Sequence, residues 1–430
     1  MPNRVTEAQV RALTLAKQSL APRARGSDVL SLVREIGPLR ARPAVTPYIA
    51  LWARLRAFDR EDLYAALYSE RSLVRLPAMH SDLYVVPTED MPAYFWVTQS
   101  LAERNISSYL AYLVSNATSN DCQQPVNLDE IVPRVLEVIS TRGACTAEEL
   151  ARWLPVLDRQ FTYGKNGVSG PGTFRLGTKL LPALCAQGLL VYAEPRGSWK
   201  SDRDRYAALS TWLPEMDLRA IGPRQALEQV LLDYVSAYGP VTIGDMIHWL
   251  GTARRRQVVY ALMRLGSRLA RVEVLGTQGE AYVLREDLDR LASLPPPERF
   301  VHLLPPRDGA LMAYRDPRRF LPYEYRERVY DWAGDSLGVV LIDGLVRGLW
   351  WQQSRGGARG EPRPRGDRIT VRFFEKVDSE AMAMAGEEAR ALGEFLQGDP
   401  VDVVIALDGE EPNGDEELPM PIPLGALPSF

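Results

Sequence analysis

The residues in this chain best suited to a chemical task are arginines gathered beside aromatic and small side chains. Arg254, Arg255 and Arg256 run consecutively into an apolar-periodic stretch that also carries Arg264. Arg175 and Lys179 stand one helical turn apart, and Arg196, Trp199 and Lys200 share the short segment RGSWK. A guanidinium is planar, permanently charged and offers a fixed fork of donors, which matches phosphate oxygens and the guanine edge. It has no site to accept a proton, so such groups bind anions rather than activate water. The 254–256 run is also what a solvated helix start looks like, and 196–200 what an exposed turn looks like, so context decides their role. Other chemistry finds little material. The three histidines (His80, His248, His302) and three cysteines (Cys122, Cys145, Cys185) are too few and too scattered for a zinc site or a disulfide framework. No metal or cofactor is expected.

Charge sorts the chain further. The whole carries −4, but from Glu375 onward there are 14 acidic and 2 basic residues, a −12 segment, which leaves +8 on the rest. Only five residues are lysine, so nearly all the positive charge is arginine. A basic body with an acidic end suits a polyanion, and double-stranded DNA, damaged or intact, is the expected partner. No apolar run reaches the roughly 20 residues of a membrane span. The opening MPNRVTEAQV has no apolar stretch of a secretory signal, so a cytoplasmic monomer is expected.

With 430 residues, two to four domains must position these groups. Residues 5–20 read as an amphipathic helix, and Asp28 caps a second helix that closes at Gly37. Pro43 and Pro47 precede a helix containing Trp52, Asp59 caps another, and two short strands follow at 73–76 and 82–86. An internal repeat comes next. LEVISTRGACTAEELARWL (136–154) matches LDYVSAYGPVTIGDMIHWL (232–250) at a constant offset of 96. Each copy holds an apolar helix, a glycine able to take positive φ, a Thr cap with an acid at the third position, and a Trp expected in the core. This is a helix-turn-helix layout written twice. TARRRQVVYALMRLG then reads as a helix with Val258, Val259, Leu262 and Leu265 inward, followed by two strands joined by the turn TQGE. After the first copy come a Gly-rich insertion (YGKNGVSGPG), the helix TFRLGTKLLPALCAQG and a longer basic hairpin. Past Pro295–Pro297 the pattern becomes strand-rich, with a loop SRGGARGEPRPRG, then a helix, a last strand and an acidic, Pro-rich end expected to be disordered. The expected class is α+β: tandem winged helices at 1–115, 125–213 and 222–292, a small β-barrel-like domain at 298–408, and a tail at 409–430.

Four segments carry a resemblance to a known family: PYIALWARLRAFDREDLYAALYSERSLVRLPAM, LLDYVSAYGPVT, RDGALMAYRDPRRFLP and LIDGLVRGLW. Through these, up to about Gly398, the chain resembles the AlkZ-like winged-helix DNA glycosylases that unhook interstrand crosslinks. The resemblance implies three tandem winged helices in a curved arrangement and a β-barrel-like domain. It also implies excision of bulky or crosslinking alkylated bases, often in producers of DNA-alkylating natural products. The family's catalytic Gln-x-Gln or Gln-x-Asp pair falls on Gly37-Pro38-Leu39-Arg40-Ala41-Arg42, so both positions are arginine here. Hydrolysis of an N-glycosidic bond needs a positioned water and a stabilised, cation-like sugar; two arginines accept no proton from the water and repel that charge. The family's Met-Arg-Gly-Thr-Leu-His is replaced by Met79-His80-Ser81-Asp82-Leu83-Tyr84, where Asp82 either supplies a displaced carboxylate or caps a turn. Tyr48, His80 and Ser81 join Arg40 and Arg42 as DNA-contact candidates. Three readings follow: a DNA-binding protein on a glycosylase scaffold, an active glycosylase for alkylated purines, and a non-enzymatic interaction scaffold.

Overall fold

The computed structural model describes residues 3–21, 23, 28–101, 118–119, 126–163, 172–251, 253–276, 279–353 and 368–408. Cys122, most of the Gly-rich insertion, the whole SRGGARGEPRPRG loop, two residues of the TQGE turn and the acidic end from 409 lie outside these. Among the described residues no helix is long and apolar enough to cross a membrane.

Local caps set most helix starts. Thr6 caps the helix Glu7–Lys17 with Gln9 answering in a capping box, and Asp28 caps Val29–Ile36, which stops at Gly37 with φ 85°. Asp59 caps Arg60–Tyr64, whose continuation Ala65–Ser69 widens into a π turn. The strands Leu73–Pro77 and Leu83–Pro87 form a hairpin, and Leu39–Arg40 adds to its edge with Arg40 opposite Tyr84.

Both repeat copies fold as three helices followed by a two-stranded hairpin. The first comprises Leu128–Arg142, Ala147–Trp153, Leu176–Ala186 and the strands Leu190–Ala193 and Arg205–Ala208. The second comprises Pro223–Tyr238, Ile243–Leu250, Arg255–Leu265 and the strands Leu269–Val274 and Glu280–Leu284. Thr146 with Glu149 and Thr242 with Asp245 make the two capping boxes that the repeat spells out. Three details differ from expectation. Gly143 takes φ 81°, but Gly239 has φ −62°; glycine is required at 239 because a Cβ would meet the Val235 carbonyl oxygen at 2.6 Å. Trp249 is buried against Tyr234, whereas Trp153 is 39% exposed with the Arg142 guanidinium over its ring. Arg175 ends a strand, Gly172–Arg175, that pairs with Gln160–Tyr163, so the helix begins only at Leu176.

The C-terminal region is an open five-stranded sheet, not a barrel. Its strands are Val301–Leu304, Val339–Ile342, Leu345–Gln353, Arg368–Phe373 and Asp402–Leu407, paired in that order. The last pair is parallel, which requires a crossover, and the helix Ser379–Gln397 supplies it. That helix buries Ala381, Ala385, Ala389, Leu392 and Leu396 on the sheet, so one face is covered by a helix and the edge strands do not meet. Residues 309–329, within the stretch read as strand-rich, form short helices and turns instead.

Two features bind the regions into one body. Asn3–Val5 pairs in parallel with Val272–Val274, completing the sheet of the second repeat copy. Arg54, from the LWARL run, makes a two-pronged ion pair with Asp308 of the RDGALM segment at 2.7 and 2.9 Å, both side chains only 1% exposed. Gln18 adds to this knot, donating to the Ile36 and Ala237 carbonyls at 2.9 and 3.0 Å.

Candidate nucleic-acid interface

The helix Arg255–Leu265 presents an open cationic face. Val258, Ala261, Leu262 and Leu265 are buried while Val259 is half-buried, and Gly266, with φ 47°, stops the helix. The opposite stripe is Arg256, Tyr260 and Met263, the last two 52% and 70% exposed. Arg256 donates to the Tyr260 hydroxyl at 3.3 Å. Among the described residues Arg254, Arg255 and Arg256 form no ion pair, so their charge is open to an outside anion, while Arg264 is held by Glu228. Tyr260 and Met263 stand at i+4 and i+7 from Arg256, a helical spacing that the sequence itself carries on the face opposite Val258 and Leu262.

The first repeat copy holds its candidates more tightly. Arg175 pairs with Asp158 at 2.9 Å. Lys179 is half-buried, and burial lowers its pKa. Arg196 pairs at 2.9 Å with Glu149, whose acid is kept below the usual range by the Thr146 amide and then by Arg196. Trp199 does not project into solvent. Its ring lies 4.7 Å from that of Tyr48 and 5.9 Å from that of Phe395, with Arg60 and Lys200 about it. Tyr48 is correspondingly buried, so these two aromatics pack the hairpin 190–208 onto the N-terminal region instead of facing a ligand.

The 40/42 position lies where three regions meet. Arg40 donates to Asp82, and Arg307, from the C-terminal region, donates to the same carboxylate oxygen. The other oxygen of Asp82 accepts the Leu83 amide at 2.8 Å. Asp335 closes the cluster, 3.1 Å from the Arg307 Nε and 3.9 Å from Arg40. Arg42 pairs at 2.5 Å with Asp204, which also takes Arg75 at 3.1 Å. Burial opposes the charge on Arg40, but Tyr84, Asp82 and Asp335 outweigh it and hold the pKa above the ordinary arginine value. Arg42 is likewise raised, with Asp204 and Tyr192 overcoming burial. Both arginines are therefore permanently charged and already neutralised from within.

Backbone strain collects at the same place. His80, Ser81 and Arg307 all take left-handed φ, at 57°, 60° and 63°, a conformation that costs a non-glycine residue roughly 1–3 kcal/mol where it is sparsely populated. The His80 ring packs on Gly251, where a Cβ would come within 2.8 Å of it, and its Nε2 lies 2.8 Å from the His248 carbonyl. Burial lowers the pKa of both histidines, which leaves His80 neutral and donating through Nε2. His302 is a packing residue, with Nε2 2.7 Å from the Leu20 carbonyl. Among the described residues no three His, Cys, Asp or Glu side chains are placed to hold a metal.

A family model described as DNA glycosylase AlkZ-like matches residues 33–395. The chain belongs to the AlkZ-like DNA glycosylase family. The AlkZ-like match spans both arginine positions, Asp82, Asp204, Arg307 and Asp335. A curated relative, an interstrand DNA cross-link repair glycosylase of Streptomyces sahachiroi, is 26% identical over 386 residues, 88% of this chain and 96% of the relative. The solved structure of Streptomyces sahachiroi DNA glycosylase AlkZ superposes with a TM-score of 0.69 at 22% identity, covering 94% of this chain and 100% of that one. This AlkZ-like chain therefore shares that fold, and the buried Arg54–Asp308 pair joins two of the segments that carry the family resemblance.

Proposed function

We propose that this chain is a DNA-binding member of the AlkZ-like family that grips duplex or alkylated DNA without excising a base. The observation that carries the reading is the contrast between two sets of arginines. Arg254–Arg256 are exposed and, among the described residues, form no ion pair; they lie beside Tyr260, at the start of what we read as the recognition helix of a winged-helix unit, where phosphate and groove contacts are made. Arg40 and Arg42 are neutralised internally, which removes them from the contact set. They bring only donors to the position where the family places side chains that accept a hydrogen bond from water. The units at 1–115, 125–213 and 222–292 then act as three winged helices along the duplex, with the sheet region 298–408 behind them, in a monomer working in the cytoplasm.

A second reading keeps the activity. Asp82 and Asp335 place carboxylates beside Arg40, and the Streptomyces sahachiroi relative is a cross-link repair glycosylase. A carboxylate there could stabilise the cation-like sugar, and an N7-alkylguanine leaves readily because it is already positive. Against this, Asp82 already accepts from Arg40, Arg307 and the Leu83 amide, which leaves little capacity to orient a water.

One assay separates the two. The protein is incubated with duplexes carrying an N7-alkylguanine or an interstrand crosslink and the products are treated with alkali. The expected result is strand cleavage no faster than spontaneous depurination, alongside salt-dependent duplex binding. Abasic sites formed above that background overturn the non-catalytic reading. Absence of salt-dependent binding to any duplex overturns both and leaves the scaffold role.

A further inference from the structure

Trp332 is 78% exposed although it lies in a tightly built turn. An indole can bury about 150–250 Å² of surface, so leaving it in water forgoes a large apolar gain. The turn is not loose. Tyr330 and Ser336 pair across its base, and the Asp331 amide bonds to the Asp335 carbonyl at 3.0 Å. The Asp331 carboxylate accepts the Ala333 and Asp335 amides at 2.8 and 2.9 Å, and Gly334 takes φ 83° to close the bend. The base of the turn is anchored on the site already described. The Arg307 amide donates to both the carbonyl and the hydroxyl of Ser336, at 2.9 and 3.0 Å. Asp335 makes the ion pair with Arg307. The turn that carries the indole is thus fixed, three residues along the chain from Asp335 of the Arg40–Asp82–Arg307–Asp335 cluster, by a frame that also holds Arg307 in left-handed φ.

We propose that Trp332 is a stacking platform for an unstacked, extrahelical nucleobase of DNA, presented by a turn tied to that cluster. The inference rests on the DNA-grip reading and adds a selectivity to it. Two arginines and two aspartates make the cluster neutral, so it attracts no phosphate of its own; what it offers to the edge of a base is one partly exposed acceptor, Asp335. A preformed turn loses little freedom when a base lands on it, and stacking on an aromatic tolerates any base because each has a π-face. The occupant is therefore a base that has left the helix, not an intact base pair, whose faces are already covered by its neighbours.

The test compares the full chain with W332A and W332F by fluorescence anisotropy on an intact duplex and on the same duplex with a single-nucleotide bulge. Wild type binds the bulged duplex more tightly; W332A loses roughly tenfold on the bulge and less than about twofold on the intact duplex, and W332F recovers most of the difference. Because the side chain is exposed, melting temperature stays unchanged. A wild type with no bulge preference, or a W332A variant that keeps the preference or weakens both duplexes alike, overturns this inference alone. Failure of wild type to bind either duplex overturns the DNA-grip reading with it.

Discussion

Asp204 is one carboxylate serving two guanidiniums, Arg42 and Arg75, and this makes substitutions around it unequal. R42A leaves Asp204 still paired with Arg75. D204N leaves the buried Arg75 without its counter-charge and the half-buried Arg42 unpaired from it as well, a loss of about 3–5 kcal/mol for removing one partner of a buried pair. Urea unfolding of the two variants should therefore rank D204N well below R42A, and equal midpoints would contradict the shared role. Asp233 carries a second prediction at this scale. Burial and then Asp90 raise its carboxyl from the ordinary 3.8 to about 7, against the pull of Arg268. The folded chain thus holds a proton that the unfolded chain releases, and its stabilising contribution is complete below 3.8 and lost as pH rises to 7. D233N should gain on wild type across that window, by on the order of a few kcal/mol at pH 8 and by nothing at pH 4 or below. Denaturation curves at the two pH values measure it.

The helix Arg255–Leu265 is the element on which the proposed grip turns. Replacing Arg254, Arg255 and Arg256 together by Ala should flatten the salt dependence of duplex binding by about three phosphate contacts and leave helix content unchanged. An unaltered salt slope would place the interface elsewhere. This element was legible in the sequence because its apolar period and closing glycine are both local. So were the two capping boxes, Thr146 with Glu149 and Thr242 with Asp245. What was not legible depends on distant partners. The contact that neutralises Arg42 joins residues 162 apart, and the packing of Trp199 needs Tyr48 and Phe395 brought together by the fold. The sheet's failure to close also escapes pattern reading, since five strand-like runs do not say whether the first and last strands meet. Trp153 misled for a related reason: its equivalence to Trp249 in the repeat says nothing about a helix stacked on Tyr234 in one copy and left open in the other.

Over the whole molecule, the regions lean on one another through a few buried polar contacts. Arg54 reaches from the N-terminal region to Asp308 at the edge of the sheet region, and Gln18 bridges to Ala237 of the second repeat copy. R54A strands Asp308 without its counter-charge in an interior site, so it should cost about 3–5 kcal/mol and lower the single melting transition of the whole chain. A second, separate transition that kept the original midpoint would show that the regions are independent. The strand Asn3–Val5 has another consequence, in time. Arg4 and its partner Glu273 are 269 residues apart. On a ribosome adding about 5–20 residues per second, the first strand emerges and then waits roughly tens of seconds before the strand it completes has even been made. Until then Asn3–Val5 has no partner strand, so the protein reaches its final shape only late in its own synthesis, by fastening its first residues onto a region translated long afterwards.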